Sequence, residues 1–158
     1  MDKFLDETAS REISAQIESK SKKPFDNAYK AVLVTEGGVY AQGFLVLKRK
    51  SSYQLLEHAW IEVDSRIIDP NLPYLVKESQ ESQEMWYFTA QTFTAKKLKK
   101  IIEESKEDYP EDDPLPIYGD APYEYYGEVM LGGKEYLSAY ELAAAKYQEL
   151  NQPNPENN

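Results

Sequence analysis

The sequence of 158 residues contains no cysteine and a single histidine, His58. The absence of cysteine excludes disulfide bonds, cysteine metal sites and a cysteine nucleophile. A lone histidine also excludes a zinc site built from several imidazoles. Carboxylates remain available as calcium or magnesium ligands, but Asp112, Asp113 and Asp120 do not have the spacing of an EF-hand loop. The sequence therefore implies no metal and no cofactor.

Long hydrophobic runs are also missing. No apolar stretch approaches the roughly 20 residues that a membrane helix needs. The first residues, MDKFLDETASREI, are charged throughout and contain no apolar segment typical of a signal peptide. We therefore expect a cytoplasmic protein that is not associated with a membrane. The length suits one domain, which we assign to residues 1–150, and residues 151–158 have nothing to bury and are predicted to be a disordered tail.

The net charge of −10 is concentrated in one segment. Residues 103–128 hold one base, Lys106, against these acids: Glu103, Glu104, Glu107, Asp108, Glu111, Asp112, Asp113, Asp120, Glu124 and Glu128. Such a surface disfavours direct binding of nucleic acid, because phosphate contacts need basic side chains. The same segment contains Tyr118, Tyr123, Tyr125 and Tyr126, and tyrosine is enriched in protein interfaces. It is interpreted either as a solvated acidic loop or as a surface for a basic protein partner.

The pattern of apolar residues predicts an α+β fold, with N-terminal helices, an antiparallel β-meander and C-terminal helices. The predicted helices are 2–21, 26–35 with Pro24 just before it and Gly37-Gly38 after it, 95–107 with Thr94 as N-cap, and 134–150. The last helix carries an apolar stripe of Tyr136, Tyr140, Ala143 and Tyr147, interpreted as core. The predicted strands are 39–47, 53–63, 66–69 and 86–93, and 108–133 is predicted to be an ordered loop.

The strongest functional signal is a predicted hairpin with Asp64 and Ser65 as its two-residue loop. Alternation then places Ala59, Ile61, Val63 and Ile68 on one apolar face, and His58, Trp60, Glu62, Ile67 and Asp69 on the other. His58 and Asp69 become diagonal neighbours, with backbones roughly 7–8 Å apart. We expect a hydrogen bond between imidazole and carboxylate, which fixes the tautomer and leaves the other ring nitrogen as a base.

Two short motifs resemble a known superfamily. The His58-Ala59-Trp60 strand followed by Ile68-Asp69-Pro70 is similar to the His and Asp strands of papain-like and transglutaminase-like thiol enzymes, and Asn27-Ala28 resembles the catalytic helix of a small bacterial and phage group. The resemblance covers about residues 23–73. It implies that His58 matches the base and Asp69 its orienting carboxylate. Aligning Asn27-Ala28 places Pro24 at the nucleophile position, so the resemblance implies a fold that has lost its chemistry.

Three functions follow as hypotheses. The first is a catalytically inactive protein that binds a basic protein partner through the acidic segment, or a small ligand near His58, where Asn27 and Trp60 are candidate binding residues. The second is a hydrolase or acyltransferase with a non-cysteine nucleophile, for which Ser19 and Ser21 lie nearest the helix start. The third is an acidic mimic of nucleic acid. The first hypothesis is favoured, and the oligomeric state is left open.

Overall fold

The computed structural model describes residues 3–49, 52–76, 84–117, 123–126 and 129–152, with side chains except at 49, 123–126 and 129–132. Its strands are β1 (Phe4–Leu5), β2 (Val39–Arg49), β3 (Ser52–Val63), β4 (Arg66–Ile68), β5 (Met85–Thr94), β6 (Tyr123–Tyr126) and β7 (Val129–Gly132). Its helices are α1 (Glu7–Gln16), α2 (Pro24–Leu33), α3 (Leu72–Leu75), α4 (Ala95–Asp108) and α5 (Lys134–Asn151). None of the helices in these ranges is long and apolar enough to cross a lipid bilayer.

The main sheet has five strands in the order β1-β4-β3-β2-β5. The neighbouring pairs among β2, β3, β4 and β5 are antiparallel, whereas β1 pairs with β4 in parallel. The α+β class predicted from the sequence is confirmed, and so is the β2–β3–β4 meander. The sheet as a whole is mixed rather than antiparallel, because the N-terminal residues add a strand at its edge.

The predicted helix 2–21 is wrong at both ends. Residues Phe4–Leu5 form β1, and α1 begins only after Asp6, whose side chain accepts a 3.0 Å hydrogen bond from the backbone N–H of Ala9. A carboxylate in this position satisfies one of the free N–H groups of the first turn, so it fixes the start of the helix. Leu5, which shares a helical spacing with Ala9, Ile13 and Ile17 in the sequence, instead packs against the sheet near Trp60.

Helix α2 begins at Pro24, two residues before the predicted start, and it ends at Leu33 rather than at residue 35. A proline fits the first turn of a helix, where its missing N–H costs nothing. The glycines 37 and 38 do not form its C-cap, which is Val34. Gly37 has a φ of +77° in the connection to β2. The glycines therefore shape the turn into the sheet, and the helix has already ended before them.

The ladder between β2 and β5 contains a bulge. Gln42 pairs with Gln91 and Gly43 with Thr89, so Ala90 is an extra residue on β5. Because side chains alternate with a period of two, one extra residue moves every later side chain to the opposite face. Gly43 permits the close approach of β5, since a Cβ atom built on it would lie 2.0 Å from the carbonyl oxygen of Phe88.

The two faces of the sheet have different partners. The helical face carries Tyr40, Phe44, Ala59 and Ile61, as the register between β2 and β3 requires. At one end it packs against residues of α2 and α4, namely Ala28, Ala31, Val32, Leu98 and Ile102. At the other end it packs against residues of α5, namely Tyr136, Ala139 and Ala143. The opposite face, called the histidine face, carries His58, Trp60 and Glu62 and has a smaller apolar cluster of Ala41, Trp60 and Ile67.

The predictions for the C-terminal half are confirmed for the helices and wrong for the loop. Thr94 caps α4 by accepting a 3.2 Å hydrogen bond from the N–H of Lys97. Residues 108–133 were expected to be a loop, but β6 and β7 form an antiparallel hairpin within this range. The tyrosine stripe of α5 is only partly core, because Tyr136 is fully buried whereas Tyr147 is 37% exposed. Of the predicted tail 151–158, Asn151 instead ends α5 and bonds to the backbone of Tyr53, and residues from 153 onward lie outside the described part.

Candidate functional site

The β3–β4 hairpin has the register that its sequence predicts. Val63 pairs with Arg66 and Ile61 with Ile68, with Asp64 and Ser65 between them. Asp64 has a φ of +56°, a conformation that Asp adopts more readily than most residues and that two-residue hairpin loops favour. The two-residue loop would place Asp69 opposite Trp60, but the ladder ends at Ile68, so this pair does not form and Asp69 begins the turn that follows.

The expected hydrogen bond between His58 and Asp69 is present. Nε2 of His58 lies 2.8 Å from Oδ2 of Asp69. Both residues are buried, since His58 is 3% exposed and Asp69 is 0% exposed. The pair therefore lies inside the protein, on the histidine face, rather than in an open cleft.

Asp69 is held by donors from three directions. The hydroxyl of Tyr87 in β5 donates to Oδ2 at 2.8 Å, and Oδ1 accepts from the backbone N–H and the side-chain amide of Asn71, each at 2.9 Å. Burial acts to raise the pKa of Asp69, but attraction to His58 and the hydrogen bonds from His58, Asn71 and Tyr87 outweigh it, so the pKa lies below its ordinary value. The backbone N–H of Asp69 donates to Oγ of Ser10 at 2.8 Å.

The protonation pattern of the pair follows from this pKa. An ionised carboxylate only accepts hydrogen bonds, so Nε2 of His58 is the donor. In the neutral imidazole, Nδ1 then carries the lone pair and is the nitrogen available as a base. This is the arrangement in which a carboxylate orients a histidine. Among the described residues, Tyr87 is the other titratable group that donates to Asp69. Burial, followed by the charge of Asp69, raises the pKa of Tyr87 well above its ordinary value, so this hydroxyl stays protonated.

A chain of amide side chains links this pair to α2. The side-chain amide of Asn27 donates to Oδ1 of Asn71 at 2.8 Å, and Asn71 in turn donates to Asp69. Asn27 also exchanges hydrogen bonds with the backbone of Lys20, at 3.0 and 2.7 Å. Asn27 is only 1% exposed. The residue therefore fixes the first turn of α2, which begins at Pro24, against the turn that carries Asp69.

A second buried carboxylate lies near the pair on the histidine face. Glu62 is 6% exposed and accepts from Nε1 of Trp60 at 3.1 Å, from Oγ1 of Thr89 at 2.7 Å and from Nζ of Lys3 at 2.6 Å. The Trp60 ring is stacked on His58, with ring centroids 6.1 Å apart. Lys3, Tyr87 and Thr89 line a groove of about 410 Å³. Trp60, which the sequence suggested as a binding residue, is itself fully buried and does not line this groove.

The serines considered as alternative nucleophiles have other surroundings. Oγ of Ser19 contacts Oγ of Ser14 and the hydroxyl of Tyr74, the latter at 3.2 Å. Ser21 is exposed in the turn before α2. Residue 24, the position that the resemblance assigns to the nucleophile, is a proline and supplies no nucleophilic atom.

The acidic segment is described in its first half. Seven acids are exposed there, and together with the 64%-exposed Tyr109 they are called the acidic surface: Glu103, Glu104, Glu107, Asp108, Glu111, Asp112 and Asp113. Tyr118 and Asp120 lie outside the described residues. Tyr123, Tyr125 and Tyr126 belong to β6, but their side chains lie outside the described part. Within the described ranges, no group of three His, Asp or Glu side chains is placed to hold a metal ion.

Several residues of the site were not found from the sequence. Tyr87 and Thr89 lie beyond the bulge in β5, and only the bulge brings them to the histidine face. A signal was present, because the apolar residues Trp86 and Phe88 are out of phase with Phe93 along the strand. Asn71 follows Asp69-Pro70, and no sequence pattern marked it as a site residue. No pattern marked Lys3 either, because its contact with Glu62 spans 59 residues.

Comparison with known proteins gives no match, since no family model fits the sequence and no curated protein or solved structure is significantly similar to the chain.

Proposed function

We propose that this chain is a catalytically inactive protein of papain-like or transglutaminase-like fold that binds a protein partner with a basic surface. The observation that carries the binding role is the acidic surface at the end of α4. Its seven carboxylates and Tyr109 are exposed, so a partner can reach them without any rearrangement of the described residues.

The charges at the two ends of α4 oppose the helix dipole, apart from Lys106 in the last turn. Lys96 and Lys97 lie in its first turn, where the partial charge is positive, and Glu107 and Asp108 lie in its last turn, where the partial charge is negative. Each such unfavourable placement costs about 0.3–1 kcal/mol at an exposed site. The acids at this end therefore weaken the helix that carries them. A role in binding explains why these acids lie at this end of α4, whereas the stability of the helix does not explain it.

The inactive site supports the first part of the proposal. His58 and Asp69 keep the geometry of an oriented base, with Nε2 of His58 2.8 Å from Oδ2 of Asp69. Pro24, however, stands at the start of α2, and the imidazole is 3% exposed. The hydrogen bonds through Asn27 and Asn71 join α2, the turn after β4 and β3 into one buried network. We infer that the pair now serves to hold these elements together.

The binding role is tested with a variant that neutralises three acids of the surface, Glu107→Gln, Asp108→Asn and Glu111→Gln. Wild-type and variant chains are immobilised and used to capture proteins from a lysate of the source organism at about 50 and 500 mM salt. A partner bound through these acids is captured by the wild type at low salt. It is lost at high salt, because exposed charges are screened within a few ångströms there. It is also lost with the variant.

A matched control neutralises three exposed acids elsewhere, Glu12→Gln, Glu36→Gln and Glu141→Gln. Both triple variants change the net charge by the same amount, so only the location differs. The control variant should still capture the partner at low salt. Equal loss with both variants, a partner that resists high salt, or no protein specific to the wild type contradicts the proposal. If added DNA or RNA displaces the captured protein, the acidic surface acts as a mimic of nucleic acid.

A further inference from the structure

A groove unrelated to the His58 pair lies on the helical face, where α5 crosses β2 and β3. It has a volume of about 560 Å³ and is lined by Phe44, Gln54, Leu55, Leu56, Glu57, Tyr140 and Tyr147. Glu57 precedes His58 in β3, so the two side chains point to opposite faces of the sheet. A volume of this size suits a small molecule rather than a protein segment.

Glu57 is the one carboxylate among the residues that line this groove. Its Oε2 atom is buried and has no hydrogen-bond partner among the described residues. A buried polar atom without a partner costs free energy, and a donor that reached it would recover that cost. Burial also raises the pKa of Glu57 to about 7, which shows that the groove itself supplies little positive charge to stabilise the carboxylate.

Aromatic rings flank this carboxylate. Phe44 is the cross-strand partner of Glu57, and the ring of Tyr140 packs edge-on against it with centroids 5.4 Å apart. Tyr147 lies two turns further along α5 and is 37% exposed, so its ring is available at the mouth of the groove. The faces of aromatic rings attract cations, most strongly where water is partly excluded.

We propose that this groove binds a small organic molecule with a primary ammonium group, whose N–H donors reach Glu57 while the rings of Tyr140 and Tyr147 flank the cation. An ammonium group supplies both the donor and the charge that Glu57 lacks. A quaternary ammonium would satisfy the rings but would leave Oε2 without a donor. This site is independent of the acidic surface, because none of its residues belongs to 103–113.

The probe is butylammonium chloride, titrated into the full chain at pH 8 with the aromatic NMR signals of Tyr140 and Tyr147 as the readout. Butanol, which has the same length without the charge, is the matched control ligand. We expect saturable shifts with butylammonium in the millimolar range, as suits a ligand of about five heavy atoms, and none with butanol. Equal shifts with butanol, or no saturation with butylammonium, overturn the proposal.

The matched variant is Glu57→Gln, which keeps the shape and removes the charge. Binding of butylammonium by this variant should be at least about tenfold weaker at pH 8. A second variant, Tyr147→Leu, keeps an apolar side chain at an exposed position and should weaken binding about threefold by removing the ring face. Unchanged affinity in either variant overturns the site as described.

The pH dependence gives a further readout. The carboxylate form binds the ammonium, so affinity should rise about tenfold from pH 6 to pH 8 as Glu57 ionises. The other ionisable groups facing it are the phenols of Tyr40 from β2 and of Tyr140 and Tyr147 from α5. His58 lies on the opposite face of the sheet. The Glu57→Gln variant separates them, because its residual binding should not change between pH 6 and pH 8, and an unchanged tenfold rise in that variant overturns the assignment.

Discussion

The hydroxyl of Tyr87 and Nε2 of His58 contact the same atom, Oδ2 of Asp69, each at 2.8 Å. These residues come from β5, β3 and the turn after β4. One carboxylate oxygen therefore connects three parts of the sheet that are separated by up to 29 positions in the chain. Because His58 and Asp69 are buried and Tyr87 is half-buried, loss of the Tyr87 hydroxyl deprives the carboxylate of one of its donors.

Tyr87→Phe removes the hydroxyl and keeps the ring. We expect the free energy of unfolding to fall by about 1.5–3 kcal/mol, the usual value for a hydrogen bond to a charged group. Urea denaturation followed by circular dichroism measures this change. Tyr109→Phe is the control, because Tyr109 is 64% exposed, and its effect should stay within about 0.5 kcal/mol. Equal stability of the two variants would show that the Tyr87 hydroxyl does not support Asp69.

Asp69→Asn tests the depressed pKa of this carboxyl group. A carboxyl whose pKa is lower in the folded state stabilises the protein above its unfolded pKa of about 3.9, and this contribution disappears as the pH falls through the folded pKa. The variant should therefore be about 3 kcal/mol less stable than the wild type at pH 5.5. The difference in the free energy of unfolding between wild type and variant should narrow below about pH 4. Chemical denaturation at pH 5.5 and pH 3 checks both points, and a gap that widens at pH 3 would reverse the sign of the shift.

Gly43→Ala tests the bulge that brings Tyr87 to the histidine face. The added Cβ atom would lie 2.0 Å from the carbonyl oxygen of Phe88, so the backbone of β2 or β5 has to move. We expect a loss of about 3 kcal/mol or more. Gly37→Ala is the control, since its Cβ meets no atom within 4 Å and only its φ of +77° is unfavourable, at about 1–2 kcal/mol. Thermal unfolding of both variants measures the two losses of stability. A Gly43→Ala variant at least as stable as Gly37→Ala would contradict the role of the bulge.

Pro24→Cys tests the proposed relationship to thiol enzymes. Because the chain has no cysteine, the introduced thiol is its only one, and its alkylation by iodoacetamide can be followed without background. A thiol at a helix N-terminus and near an imidazole has a pKa below the ordinary value of about 8.5. We expect alkylation at pH 6.5 to be at least about tenfold faster than for Lys30→Cys, which lies exposed near the other end of α2.

The dependence of the alkylation rate on His58 separates the effect of the imidazole from the effect of the helix N-terminus. In the double variant Pro24→Cys and His58→Gln, the helix N-terminus remains and the imidazole is gone. In the proposed arrangement the imidazole stands beside the thiol and favours its thiolate form, so its removal should slow alkylation severalfold. Circular dichroism verifies that the double variant is folded. An alkylation rate independent of residue 58 would argue against the proposed papain-like arrangement.

The hairpin of β3 and β4 could be predicted from the sequence because its pairing is local. Strand alternation and the two-residue loop Asp64-Ser65 together fix the register, and with it the approach of His58 to Asp69. The capping of α4 by Thr94 is equally local. Where neighbouring residues determine the geometry, the sequence pattern was sufficient.

The remaining features depend on distant residues. Strand β1 has only two residues and exists because Phe4 pairs with Arg66, so no local pattern distinguishes it from the helical stripe that Leu5 appears in. The bulge at Ala90 depends on the glycine in β2 that admits it. The hairpin of β6 and β7 was missed because glycine, proline and acidic residues surround its short strands, and glycine, proline and aspartate favour turns.

The parallel pairing of β1 with β4 has a consequence for the order of folding. Phe4 meets Arg66 and Lys3 reaches Glu62, so the first described residues have no partner until some sixty more have been synthesised. The β3–β4 hairpin closes only a two-residue loop, so its formation costs little conformational entropy. Pairing of β1 with β4 closes a much longer loop and costs more. During synthesis the N-terminal segment must therefore wait for the hairpin, and its arrival is the step that covers the edge of β4.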